Sequence, residues 1–200
     1  LSFLADNSVD AIITDHPYDT KKSLKGGNRN FADYELFQYN EKDMAEKLRV
    51  LRPGCFLVEF LPEENGDNFE YLYRVKELAR KAGFEYYAKV PWKKGEFVAN
   101  TGRKSKNTED VCFFTKGKAR ELRPDAKKDK TEPDVEHFMS GAAGMLPTVF
   151  DFGIDKKTKI HQAEKPIELL QQILRFVTKE DELVLDQFAG SGSLGEAALK

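Results

Sequence analysis

The chain is poor in the residues that staple small folds. Its 200 residues hold two cysteines, Cys55 and Cys112, each inside an apolar string, which leaves no basis for a disulfide framework or a zinc site. No run approaches the roughly 18 consecutive apolar residues that a membrane span needs, and nothing at the start reads as a signal peptide. No membrane association is expected, and the cytoplasm is the default address. An excess of either charge is also missing. The balance of 32 Lys and Arg against 34 Asp and Glu means that any surface for nucleic acid has to be local. No Gly-Lys-Ser/Thr follows the glycine-rich turn near the end, which excludes a phosphate loop of the nucleotide-hydrolase kind. There is no internal repeat. A starting methionine is absent and Lys200 falls in the first turns of a helix, so the chain is expected to be cut at both ends.

What is present fits one domain over residues 1–200, because 40% apolar and 33% charged residues favour a packed core over disorder. The most informative stretch is ELVLDQFAGSGSLGEAAL, from Glu182 to Leu199. Leu183, Val184 and Leu185 read as a short buried strand, Asp186 ends it, and Gly190, Gly192 and Gly195 lead into a helix-forming string. Glycines there permit a tight turn and close approach of a ligand to backbone amides. The dinucleotide fingerprint is not matched, since an acid and three other residues precede the first glycine. A second strand end lies near the start of the chain. Val9, Ala11, Ile12 and Ile13 form an apolar strand closed by Thr14, Asp15, His16, Pro17 and Tyr18. Asp15 reads either as a turn cap or as a reactive group at the carboxyl end of a sheet strand.

Between these ends, strand and helix patterns alternate. A helix is predicted over Tyr34 to Leu51, stopped by Arg52-Pro53-Gly54, and a strand over Cys55 to Phe60. A second helix runs from Asn68 to Ala82, with Phe69, Leu72, Val75, Leu78 and Ala79 inward and Gly83 as C-cap. Strands follow at Phe84 to Val90 and Glu109 to Thr115, a short extended piece at Val149 to Gly153, and a helix at Ile167 to Thr178. The polar stretches 19–33, 97–107 and 120–137 read as surface loops. This order predicts an α/β fold, doubly wound, with a mostly parallel sheet covered by helices on both faces. In such a sheet the two strand ends open onto one crevice if their strands are neighbours. A carboxylate accepts from an exocyclic amine, a backbone carbonyl takes its second hydrogen, and an aromatic ring stacks on a planar base. Those parts suit an amino-bearing base held outside a helix.

Together these segments resemble the amino-group DNA methyltransferases, which methylate adenine N6 or cytosine N4 with S-adenosylmethionine. Asp15-His16-Pro17-Tyr18 is similar to that family's Asp-Pro-Pro-Tyr tetrad, and Asp186 to Gly192 is similar to its Asp-x-Phe-x-Gly-x-Gly loop. LRVLRPGCF from Leu48, NTEDVCFFTKGK from Asn107, and His161 to Pro166 with the helix behind it resemble the linking segments. The tetrad precedes the glycine-rich loop, as in the subgroup whose catalytic half comes first. The resemblance implies a Rossmann-like methyltransferase fold, incomplete in this chain, with S-adenosylmethionine as cofactor. It places the cofactor against Asp186, Phe188, Ala189, Gly190 and Gly192, walled by Lys165 and Pro166. It makes Asp15, His16, Pro17 and Tyr18 the catalytic tetrad acting on a flipped base in double-stranded DNA by direct in-line transfer. Residues 92–148 become a target-recognition insertion, with Lys93, Lys94, Arg103, Lys104 and Lys106 as phosphate contacts, and a restriction or modification subunit becomes a possible partner. No metal is implied. Aspartate at the first tetrad position favours adenine N6; the alternatives are cytosine N4, another amine, or a degenerate DNA-binding relic.

The chain departs from the family pattern at three prolines, replaced by His16, Gln187 and Gln162. A histidine at position 16 keeps the backbone carbonyl but not the fixed φ of proline, and is expected either to intrude on the base or to titrate beside Asp15. A strand after the glycine-rich helix, whose acid would hold the cofactor ribose, is also expected to be missing.

Overall fold

The computed structural model describes residues 1–17, 37–95, 107–123, 145–154 and 164–200. The apolar run at the start forms strand β1 (Val9–Thr14), buried along its whole length. Its one carboxylate, Asp10, is satisfied by Arg52 at 2.7 Å and by the Leu183 amide at 3.0 Å. Helix α1 spans Glu41–Val50. It starts there because Asn40 and Asp43 close a capping box, each side chain accepting from the other's backbone amide at 3.1 and 2.9 Å. The predicted start at Tyr34 falls outside the described residues, and Phe37 to Asn40 are not helical.

Helix α1 ends just ahead of Arg52-Pro53-Gly54, as predicted, but that tripeptide is part of a strand. Strand β2 (Leu51–Pro62) takes over directly, and its first residues bulge out. The register against β1 slips from Val9–Leu51 to Ala11–Phe56, with Gly54 at φ +79° in the bulge. Of the last carbonyls of α1, Leu48 O accepts from Lys116 Nζ at 2.7 Å, while Arg49 O and Val50 O accept from the amides of Asn7 at 3.0 Å and Ser8 at 2.9 Å.

Helix α2 (Phe69–Ala82) buries Leu72, Val75, Leu78 and Ala79 as its spacing predicts. Phe69 is exposed instead, because as the first helical residue it precedes the stripe that meets the sheet. Strands β3 (Phe84–Lys93) and β4 (Thr108–Lys116) pair antiparallel, and β5 (Phe150–Asp151) adds in parallel to β3. Helix α3 (Ile167–Val177) leads to β6 (Val184–Leu185), and α4 (Ser193–Leu199) follows the glycine-rich turn. Leu183 lies just outside β6 and is exposed, although its carbonyl still accepts from Asp10 N at 2.9 Å.

The sheet order is β5-β3-β4-β2-β1-β6, with β4 alone opposed to the other strands. The mostly parallel, doubly wound sheet is therefore present. One core packs α3 and α4 on Ala11, Ile13, Phe56, Val58, Phe60 and Phe113. The other packs α1 and α2 on Val9, Ile12, Leu57, Leu61, Cys112 and Phe114. Core residues alternate between the two layers from Ala11 to Ile13, from Cys55 to Val58 and from Val111 to Phe114, as a two-residue side-chain period requires. Of the 92–148 segment, the described part supplies the end of β3, all of β4 and the lead into β5; residues 96–106 and 124–144 lie outside the description. Among the described residues no helix is long and apolar enough to cross a membrane.

Gly83 closes α2 at φ +109°, its amide bonded to the carbonyls of Ala79 and Arg80. A Cβ there would stand 3.2 Å from Leu48 Cδ2. Gly83→Ala is expected to cost about 1–2 kcal/mol from left-handed backbone strain, read as a lower urea midpoint at unchanged m-value.

Candidate functional site

Two neighbouring parallel strands set up the site. β1 and β6 pair at Ala11–Val184 and Ile12–Leu185, so their carboxyl ends open on the same edge of the sheet. From β1 the chain winds one way through α1 to β2, while β6 lies on its other side with α3 and α4 on the opposite face. That reversal is where an open α/β sheet forms a crevice. Asp15 and Asp186 stand at the two strand ends.

Asp186 receives Thr14 Oγ1 and the Phe188 amide, both at 2.9 Å and both on its Oδ1. Burial pushes its carboxyl above the ordinary aspartate value, against the pull of those two bonds. The loop behind it turns tightly, Gly192 N donating to Ala189 O at 2.7 Å, with Gly190 at φ +52° and Gly192 at φ +82°. A Cβ on Gly192 would meet nothing within 4 Å, so backbone conformation and not crowding calls for glycine. Ala189 and Gly190 are exposed, and Phe188 packs on Phe37 at 5.0 Å between ring centres.

The side-chain alternation of β1 carries on past Thr14 and sends Asp15 and His16 to opposite faces. Asp15 turns toward the α3 face, where the Lys165 ammonium binds its carboxylate. Lys165 reaches Glu109 at 3.5 Å, and Glu109 is in turn held by Lys94. Lys165 also lies 5.1 Å from the centre of the Phe60 ring and 5.8 Å from that of Trp92. Burial raises the Asp15 carboxyl, with Lys165 opposing it. Burial works against the Lys165 ammonium, but Glu109 and Asp15 outweigh it and hold its pKa up. Glu109 is kept low, despite burial, by Lys165 and Lys94.

His16 is buried on the α1/α2 face. Its Nδ1 lies 3.3 Å from Glu59 Oε2 and its Nε2 bonds the Tyr71 hydroxyl. Glu59 also accepts from Tyr39 at 2.9 Å and from the Lys47 ammonium, with no side-chain exposure at Glu59 or Lys47. Burial disfavours the Glu59 carboxylate, but Lys47 and His16 more than offset it and its pKa is lowered. The His16 ring thus sits among Glu59, Tyr71 and Tyr39, across the strand from the Lys165 partner of Asp15.

The remaining predicted residues divide. Pro17 is tied to the following segment by Phe37 N, which donates to its carbonyl at 2.9 Å. Tyr18, Arg103, Lys104, Lys106 and Gln162 lie outside the described residues. Lys93 pairs with Asp151 at 3.0 Å, and Lys94 with Glu109. Pro166 is the N-cap of α3, and Glu164 beside Lys165 lies 3.5 Å from Ser193 at the start of α4. Sequence reasoning missed Thr14, Glu109 and the whole group around Glu59. The signal for Glu59 was there: one acid inside the apolar string CFLVEFL, and Lys47 three residues after the core residue Met44.

The chain was compared with known proteins. A profile of the N6/N4 family described as DNA methylase matches residues 9–200. The type II methyltransferase M.HpaI of Haemophilus parainfluenzae is 25% identical over 97% of this chain, which spans 62% of that protein's length. The type II methyltransferase M2.MboI of Moraxella bovis is 23% identical over the full chain and 75% of its own. Among solved structures, the M1.HpyAVI–SAM complex matches with TM-score 0.64 and 22% identity over 99% of this chain and 79% of that one. The cytosine-N4-specific PvuII DNA methyltransferase matches with TM-score 0.67 and 16% identity over 99% of this chain and 73% of that one. At these identities the two structures speak for the fold.

Glu59→Gln removes a carboxylate from a buried pair and is expected to cost about 3 kcal/mol at pH 7, since Lys47 is left without its counter-ion. A carboxyl lowered in the folded state stabilises above its unfolded value, 4.5 for Glu59, and that contribution is lost as pH falls below it. The gap between wild type and variant should therefore shrink on acidification from pH 5 toward pH 3 (approximate limits of the useful range). Urea unfolding across that range is the check.

Proposed function

The chain belongs to the DNA methylase family, and from that premise we propose that it moves a methyl group from S-adenosylmethionine to the exocyclic amino group of a base in double-stranded DNA. The observation that carries the reading is the placing of Asp15 and Asp186 at the ends of two adjacent parallel strands, on one crevice. The residues present fit the cofactor. Both described donors to Asp186 use Oδ1, which leaves Oδ2 to accept from the amino group of the methionine part. The exposed Ala189-Gly190 turn lets a ligand approach backbone amides, and Phe188 offers an apolar wall. When bound, the cofactor supplies a sulfonium-activated methyl group.

Asp15 accepts a hydrogen bond from the target amine and orients its lone pair toward that methyl group. The backbone carbonyl of His16 takes the second amine hydrogen. As the new N–C bond forms and the S–C bond breaks, positive charge grows on the nitrogen, and the Asp15 carboxylate stabilises it. The proton then leaves to solvent, so positioning carries most of the rate and no strong base is needed. Lys165 holds the Asp15 carboxylate against the effect of burial. Pro17 and Tyr18 frame the base, Tyr18 by stacking. Lys93, Lys94, Arg103, Lys104 and Lys106 are the proposed phosphate contacts, of which Lys94 has to leave Glu109 to serve. Aspartate at position 15 favours adenine N6. Cytosine N4 is the second reading, since the matched family profile spans both N6 and N4 methylases.

The test is transfer of tritiated methyl from S-adenosylmethionine to mixed-sequence duplex DNA, followed by separation of the nucleosides. N6-methyladenine or N4-methylcytosine would name the acceptor, and no methylated nucleoside from wild-type protein would overturn the reading. Asp15→Ala is expected to lower transfer by about 10²-fold or more while cofactor binding by calorimetry persists. Asp186→Ala should lose the binding itself.

A further inference from the structure

A second polar cluster lies behind the strand end that carries Asp15, on the opposite face of the sheet. It gathers His16 after β1, Tyr39 ahead of α1, Lys47 of α1, Glu59 of β2 and Tyr71 of α2. Glu59 is its hub, accepting from Tyr39, Lys47 and His16. An apolar core would hold these layers at least as well, because desolvating a carboxylate and an ammonium costs several kcal/mol that their attraction barely returns. The cluster's geometry serves position. Glu59 is the register partner of Thr14 across β1 and β2, so its carboxylate is fixed by the middle of the sheet. From there it grips His16, the residue between Asp15 and Pro17. The same imidazole lies 4.4 Å from the Tyr39 ring and 6.3 Å from Phe188, and Thr14 holds Asp186. Both strand ends of the crevice are thereby tied to one buried carboxylate.

We propose that Glu59 is a positioning residue for methyl transfer: by accepting the Nδ1–H of His16 it holds the Asp15–Pro17 backbone and the Phe188 loop in one alignment. The inference rests on the methyltransferase reading of Asp15 and Asp186. Glu59 touches no reacting atom, and its effect on rate passes through the direction of the target amine. It also assigns a tautomer. An ionised carboxylate only accepts, so Nδ1 of His16 carries a proton toward Glu59.

The test compares the full chain with the double variant Lys47→Met/Glu59→Leu, which removes both buried charges and keeps apolar volume, and with Tyr71→Phe. The double variant takes the acceptor from the buried Tyr39 hydroxyl and His16 Nδ1–H, and is expected to melt below wild type while still unfolding cooperatively. Its kcat should fall at least about 20-fold while the KM for S-adenosylmethionine moves less than about threefold, a split that general loosening would not produce. Transfer equal to wild type by a folded double variant would overturn the proposal. If that protein does not fold, Tyr71→Phe carries the decision: a fall in kcat of about fivefold supports the role, and none refutes it. Imidazole ¹⁵N shifts of wild-type His16 give a readout independent of activity, and an Nδ1 that carries no proton would sink the proposal. A wild-type protein that transfers no methyl at all would refute the reading of the site itself, a result distinct from normal transfer by the double variant.

Discussion

β1 pairs in parallel with β2 on one side and with β6 on the other, and the chemistry of the chain follows from where those pairings leave three strand ends. The β6 pairing is only two residues long, yet it sets Asp186 beside Thr14 and within 2.9 Å of its hydroxyl. The β2 pairing puts Glu59 opposite Thr14. Because the strand period continues into the tetrad, consecutive residues Asp15 and His16 serve different layers. One enters the crevice side with Lys165, and the other anchors in the α1/α2 layer.

Both layers hold charge where a core would ordinarily be apolar. Lys47 and Glu59 have no side-chain exposure, and Lys165 is nearly as enclosed between Asp15 and Glu109. Such pairs contribute little net stability once desolvation is counted, but breaking one leaves a buried charge alone. The exposed Arg80–Glu77 pair of α2 makes a useful contrast: its contacts of 2.7 and 2.9 Å are as short, yet water screens them and their loss would scarcely register. Buried charge in this fold therefore marks places where direction matters more than stability. In the proposed mechanism that direction is the one of the Asp15 carboxylate.

Most of the architecture was legible because it rests on local signals. The two-residue period in VDAIIT and CFLVEF, the helical stripe of Leu72, Val75 and Leu78, and Gly83 as C-cap are short-range features, and each reappears. The misreadings are where a distant group overrode a local signal. Arg52-Pro53-Gly54 reads as the break between a helix and a strand starting at Cys55, but pairing with β1 draws it into the strand itself as a bulge. His16 looked like an obstruction because its neighbours in sequence are the tetrad. Its actual neighbours come from four other segments, at positions 39, 59, 71 and 188.

Sequence patterns alone therefore establish the strand–glycine–helix element, the tetrad and the order of layers, since these depend on side-chain period, backbone freedom at glycine and the spacing of motifs. They could not establish which strands adjoin, because strand pairing is a contact between remote segments and leaves no local mark. Nor could they give the burial of Glu59 and Lys47, the capture of Asp15 by Lys165, or the anchoring of His16 on Glu59 and Tyr71. Those depend on electrostatic and packing partners that lie far off along the chain and meet only when the sheet is assembled.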